Sequence, residues 1–193
     1  MNLPNKLTML RIILVPFFVF FLMAGNSGAF NLIALLVFAA ASLTDMLDGK
    51  IARRHNLITT FGKLMDPLAD KILVMSAMIC FVALKLAPAW VVIVILTREF
   101  LVTSLRLIAA GEGLVIAADK WGKMKTVTQM IWIIWVLLWL WLASSPLSGL
   151  LSGGLDTVGN VISLVLMYAS VFFTLLSGFN YVWKNRALLF SDM

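Results

Sequence analysis

The sequence predicts an all-α, polytopic membrane protein with six transmembrane helices and a short N-terminal juxtamembrane helix ahead of the first. Three observations predict it. Hydrophobic residues make up 62% of the 193 positions and charged residues only 12%, with a mean hydropathy of +1.03. A soluble domain carries about 25% charged residues, so this chain lacks the polar side chains to coat a water-exposed globule. Its apolar runs approach the ~20 residues that a helix needs to cross a hydrocarbon core. Its Lys and Arg residues, finally, are unevenly shared among the connections between those runs.

The elements follow in order. Residues 12–44 hold no Asp, Glu, Lys or Arg, but Gly25-Asn26-Ser27-Gly28 breaks the run into two spans, about 9–24 and 29–49. Further spans fall near 63–85, 88–110, 121–143 and 157–182, separated by Pro88, by Gly111-Glu112-Gly113 and by the stretch from Ser144 to Gly154. The whole of 1–193 reads as one membrane domain. A cleaved signal peptide is the rival reading of residues 1–28, with Lys6 and Arg11 as its positive end.

Lys6 and Arg11 flank the first span, and Lys50, Arg53, Arg54 and Lys63 fill the second connection. Lys120, Lys123 and Lys125 open the fifth span, and Lys184 and Arg186 follow the sixth. The alternate connections contain only Lys85. This asymmetry places both termini and the even connections in the cytoplasm. It also accounts for the net charge of +6 without a nucleic-acid partner. Cys80 is the single cysteine and lies in an apolar run, so no disulfide framework exists.

Ionisable groups inside spans are rare and by default functional. Asp45 and Asp48, three apart, share a face near the cytoplasmic end of the second span. Asp66 and Asp70, four apart, share a face at the start of the third. The 17 residues between Asp48 and Asp66 allow the two helix ends to stand side by side, bringing four carboxylates to one depth. Like charges so close require compensation. Basic neighbours would make a structural salt-bridge cluster. A hard divalent cation, Mg²⁺, Mn²⁺ or Ca²⁺, suits an all-oxygen set better, and the only His, His55, lies in the loop between. Gly49 and Gly62 clear space beside the carboxylates, Ala52 is small, and Arg53 offers a planar donor fork to phosphate. Metal, arginine and glycine clearance together point to phosphoryl transfer.

Written out, the segment is Asp45-Met-Leu-Asp48-Gly49-Lys-Ile-Ala52-Arg53, eight residues, then Gly62-Lys-Leu-Met-Asp66-Pro-Leu-Ala-Asp70. It resembles the D-x-x-D-G-x-x-A-R-x8-G-x-x-x-D-x-x-x-D signature of the CDP-alcohol phosphatidyltransferases at every specified position. The resemblance extends over most of the chain. The opening Asn2-Leu3-Pro4-Asn5-Lys6-Leu7-Thr8 through Arg11, the run from Phe61 to Lys71, Thr97-Arg98-Glu99-Phe100 and Gly122-Lys123-Met124-Lys125-Thr126 are similar to the phosphatidylglycerophosphate synthase branch.

The resemblance implies a six-helix membrane fold, a homodimer, and metal-dependent transfer from CDP-diacylglycerol to sn-glycerol 3-phosphate with release of CMP. It also implies Mg²⁺ or Mn²⁺, one or two ions, on Asp45, Asp48 and Asp66. Asp70 would be the general base while remaining near the metal, and Gly49, Ala52, Arg53 and Gly62 would line the nucleotide site.

The signature fixes the donor chemistry and leaves the acceptor to other residues. Glu99, Thr103 and Arg106 form one polar stripe at i, i+4 and i+7 in the fourth span, with Arg98 beside them. Arg98, Arg106, Lys123 and Lys125 are therefore candidates to bind an acceptor phosphate, although Lys123 and Lys125 would serve equally as positive-inside anchors. Phosphatidylglycerol, serine or inositol phosphate are the alternative acceptors. An ion-coupled transporter is the alternative class, and it would place its carboxylates nearer the midplane. Trp132, Trp135, Trp139 and Trp141 read as lipid-facing packing, the last two as an interfacial belt.

Overall fold

The structure, a computed structural model, describes residues 3–25, 27–55, 60–111, 114, 119–151 and 154–186. It does not describe the side chains of residues 3–4, 45–55, 60–64, 66–67, 70, 147 and 150–151. Six α-helices run in chain order: α1 Leu3–Met23, α2 Gly28–His55, α3 Thr60–Ala83, α4 Ala89–Gly111, α5 Lys120–Ser144 and α6 Leu155–Lys184. A 3₁₀ segment, Pro146–Leu151, precedes α6, and the described residues contain no strand.

The all-α expectation holds and the helix bounds lie close to the predicted spans, with two differences. The short juxtamembrane helix is not a separate element, because residues 3–8 form the first turns of an unbroken α1. Most of the stretch between Asp48 and Asp66 is helical too, leaving only residues 56–59 between α2 and α3. Among the described residues, three stretches are long and apolar enough to cross a membrane: Asn5–Met23, Lys120–Ser144 and Leu155–Lys184. The apolar parts of α2 and α3, Gly28–Thr44 and Lys71–Ala83, are shorter. The 23-residue α4 carries Arg98, Glu99 and Arg106 within its length.

The chain divides into two compact units. The first comprises residues 1–86 and 133–159. Within it α1 packs along α2 and α3. Residues 24–27 join α1 to α2 as an antiparallel hairpin, with Gly25 at φ 136°, a left-handed conformation that side chains disfavour. The Ser27 carbonyl accepts the first bond of α2, from the Asn31 N–H at 3.1 Å. Along α1 the buried positions are Asn5, Thr8, Arg11, Val15, Phe18 and Leu22, spaced by three and four residues, so one stripe faces inward. Phe18 meets Phe38 of α2 with ring centroids 5.5 Å apart. At the hairpin end, buried Asn31 donates to the Ser144 hydroxyl at 2.8 Å and tethers α2 to α5. Trp135 donates to the Gly159 carbonyl at 3.1 Å and stacks on Trp139.

The second unit comprises residues 87–132 and 160–193. Its buried face on α4 is apolar: Val91, Val92, Ile95, Val102, Leu105 and Ala109. The buried residues of α6 are partly hydroxylic, with Ser170, Thr174 and Ser177 among them. Thr174 donates to the Ser170 carbonyl at 2.7 Å and Ser177 to that of Thr174 at 3.1 Å. Thr174 and Ser177 satisfy their own hydroxyls on their own helix, and the three small side chains leave α6 a narrow surface for close packing.

Candidate active site

The four signature aspartates stand on the helices the sequence assigns them to, both in the first unit. Asp45 and Asp48 lie ten and seven residues before the end of α2, and Asp66 and Asp70 lie six and ten residues after the start of α3. At 1.5 Å per residue all four are about 9–15 Å inside their helix ends. Gly49, Ala52 and Arg53 continue α2, and Gly62 belongs to the first turn of α3. The side chains of the four aspartates, Ala52 and Arg53, and the surroundings of Gly49 and Gly62, lie outside the described residues.

The side of the site that is described is α1, and it corrects the sequence reading. Arg11 does not flank a span at the water interface; its side chain is fully buried, 0% exposed, as is Thr8 one turn before it. Asn5 is buried on the same stripe. A guanidinium inside a helical bundle requires negative or strongly polar company. The N-terminal third of α1 therefore presents polar groups, where its other end presents Val15, Phe18 and Leu22.

The cationic candidates all belong to the second unit, and they divide into two groups. Arg98 and Lys125 converge on one carboxylate. The Glu99 Oε1 accepts from the Arg98 guanidinium at 3.2 Å and from the Lys125 ammonium. Side-chain exposure is 4% for Lys125, 13% for Arg98 and 18% for Glu99. Lys125 is thus no interfacial anchor. It turns from α5 into the protein to pair with α4.

Arg98 threads between two glycines. A Cβ on Gly178 of α6 would lie 3.2 Å from the Arg98 Cγ, and one on Gly122 of α5 would lie 3.3 Å from its Nη2. The absent side chains let the arginine stem cross α6 and its head reach α5. Beside it, between α4 and α6, runs a groove of about 460 Å³ walled by apolar residues such as Leu101, Leu175 and Phe179.

Arg106 departs from the Glu99 group, although it shares the polar stripe. Its Nε donates to the Tyr181 hydroxyl at 3.1 Å, with the guanidinium carbon 5.6 Å from the ring centroid. Thr103, between them in sequence, donates back to the Glu99 carbonyl at 2.7 Å. Lys123 is exposed.

Asp119 is a structural residue that the sequence reading missed. Its carboxylate accepts the Lys120 N–H at 2.9 Å, and its carbonyl accepts the Lys123 N–H at 3.2 Å, capping α5. The same carboxylate accepts from the Asn180 amide and from Lys184 at 3.5 Å, fastening the start of α5 to α6. Partial burial raises the Asp119 pKa, but Asn180, Lys184 and the Lys120 N–H outweigh it and hold the carboxyl below its ordinary value. An Asp directly before Lys-Trp-Gly, at the onset of an apolar run, is the capping signal that identifies it in the sequence.

Trp132 also differs from expectation. It is fully buried rather than lipid-facing, and Trp135 uses its indole N–H on Gly159. Gly159 leaves room for the Trp139 ring, which a Cβ there would strike.

Residues 1–179 match the family model described as CDP-alcohol phosphatidyltransferase. The chain is 42% identical to the CDP-diacylglycerol–glycerol-3-phosphate 3-phosphatidyltransferase of Bacillus subtilis, over 95% of each chain. It is 40% identical to a probable phosphatidylglycerophosphate synthase of Mycobacterium tuberculosis, covering 94% of this chain and 80% of the relative. It is 33% identical to the CDP-diacylglycerol–glycerol-3-phosphate 3-phosphatidyltransferase of Haemophilus influenzae, over all of this chain and 97% of the relative. With a family model spanning its signature aspartates and relatives alike from end to end, this chain belongs to the CDP-alcohol phosphatidyltransferase family.

Proposed function

We propose that the chain transfers the phosphatidyl group of CDP-diacylglycerol to sn-glycerol 3-phosphate, giving phosphatidylglycerophosphate and CMP. The observation that carries this reading is 42% identity over 95% of both chains to a relative named for that reaction. The complete aspartate signature on α2 and α3 agrees with it.

Four carboxylates form an all-oxygen donor set, and the buried polar face of α1 packed against their helices is a setting in which a hard cation fits. Asp45, Asp48 and Asp66, with Asp70 close by, would hold Mg²⁺ or Mn²⁺. The bound ion supplies Lewis-acid polarisation of the diphosphate and charge neutralisation on the departing nucleotide.

The chain's own residues do the rest. Gly49, Ala52 and Gly62 leave room for the nucleotide, and Arg53 donates to its phosphates. Asp70 accepts the proton of the glycerol 1-hydroxyl as that oxygen bonds to the β-phosphorus. The bond from that phosphorus to the bridging oxygen breaks, and CMP leaves with the electron pair. Arg98, Arg106, Lys123 and Lys125 would bind the acceptor's phosphate. Two of these, Arg98 and Lys125, share a carboxylate, so they hold fixed positions with charge to spare. The Lys and Arg asymmetry supports a bacterial cell-membrane location in which both termini and the aspartate-bearing helix ends face the cytoplasm. The family likeness supports a homodimer.

Purified protein assayed with CDP-diacylglycerol against a panel of alcohols, with and without chelator, tests the reading. Glycerol 3-phosphate should be the acceptor that releases CMP, chelator should abolish release, and Asp70→Asn should lower turnover roughly 10²–10⁴-fold with helicity retained. CMP release with serine, inositol phosphate or phosphatidylglycerol in its place would overturn the acceptor assignment.

A further inference from the structure

The α1–α2 hairpin has a register that runs past the described side chains. The Phe18–Phe38 ring contact fixes one rung of this antiparallel pair. Three residues further from Phe18 toward the N-terminus, and three further from Phe38 toward the end of α2, stand Val15 and Ala41, both buried. Four residues the other way stand Leu22 and Ala34, also buried. The seam therefore advances in equal steps of three and four residues along both helices, the spacing by which one helix face meets another.

Continued to the aspartate end, the next rung pairs position 11 with position 45, each seven residues from its phenylalanine. The rung after it pairs position 8 with position 48. Seven residues are nearly two full turns, so the face is preserved. Both α1 members of these rungs are polar and fully buried, whereas all three rungs toward the hairpin are apolar. The change from apolar to polar on α1 coincides with the change from Ala41 to Asp45 on α2.

From this juxtaposition we propose that Arg11 is a positioning residue for the metal site, holding the Asp45 carboxylate through its guanidinium, with Thr8 beside Asp48. The proposal rests on the reading of Asp45 as a metal ligand. A carboxylate offers two oxygens, so one can be engaged by a planar N–H fork while the other stays directed at a cation. Partners of this kind orient metal ligands, and their loss typically lowers metal affinity about 10–100-fold.

The test is Mn²⁺ binding to the purified, detergent-solubilised chain, read from the electron paramagnetic resonance signal of unbound Mn²⁺ without turnover. Arg11→Met is expected to weaken binding about 10–100-fold. Arg11→Lys, which keeps the charge and loses the fork, should weaken it less, and Asp45→Asn should weaken it at least as much as Arg11→Met. Thermal melting of each variant reports its folding; if Arg11→Met does not fold, the comparison is carried by Arg11→Lys. Binding by a folded Arg11 variant that equals or exceeds that of the unmodified chain overturns the proposal, tighter binding meaning that the guanidinium competes with the cation. If Asp45→Asn binds like the unmodified chain, or the unmodified chain does not bind at all, the metal reading fails and this proposal with it.

Discussion

In the first unit α2 and α3 carry four aspartates and α1 brings one buried cation, Arg11; in the second, Arg98 and Lys125 close on a single carboxylate, Glu99. Each centre thus gathers several groups of one sign of charge and has a buried or half-buried group of the other on a neighbouring position. The majority groups match the charge of what each centre would bind, carboxylates for a cation and cations for a phosphate. The minority group has a different task. It keeps like charges tolerable in a medium of low polarity while the ligand is absent, and it fixes their geometry.

Removing the minority group of the second centre should have the largest effect. Glu99→Gln leaves Lys125 and Arg98 close together without their shared acid, and breaking a buried pair in this way costs about 3–5 kcal/mol. The variant should melt well below the unmodified chain in detergent, and adding Lys125→Met should recover much of the loss. Recovery would confirm that Glu99 serves the cations; its absence would make Glu99 a packing residue and break the comparison.

Removing a cation of the same unit that stands outside the Glu99 group should cost less stability and more substrate affinity. Arg106→Ala should raise the acceptor KM about 10–100-fold, the range for losing a charged hydrogen bond, with the lipid-donor KM unchanged. Tyr181→Phe removes only the hydroxyl that accepts from Arg106 and should raise the same KM a few-fold. Equal effects on both KM values would take Arg106 out of the acceptor site.

The smallest effect is expected at Asp119, where the charges meet solvent. A depressed pKa in the folded state contributes stability above the unfolded value, about 3.9, and that contribution is lost as pH falls through the folded value. Asp119→Asn should therefore melt below the unmodified chain at neutral pH, and the gap should close only in acid below about pH 3.9. A gap of equal size at every pH would assign the residue's role to capping alone.

Helix bounds were legible in the sequence because loss of the apolar run is abrupt at Gly25, Pro88 and Gly111. The aspartates were legible because a charge inside a span has so few innocent explanations. Inward faces were not. In a chain solvated by lipid, Leu and Phe serve the outer face as well as the inner, so hydropathy does not distinguish buried Phe18 from exposed Phe17. Arg11 and Lys125 were obscured by the same rule that gave the topology, since any basic residue near a span end satisfies it. Trp132 was misassigned because an aromatic near a bilayer has two good homes. The signal for Arg11 lay in the matched spacing of two stripes, 8-11-15-18-22 and 34-38-41-45-48, which gains meaning only once one rung between them is fixed.

That matched spacing makes the hairpin a ruler. Residues 24–27 join the two helices at the end opposite the aspartates, and their number sets which residue of α1 faces which residue of α2. Inserting or deleting one residue there would turn every rung by about 100° on one helix and leave Arg11 abreast of Met46 or Thr44. Among relatives, the length of this short loop should vary no more than the aspartates themselves, although it lies at the opposite end of the hairpin from them.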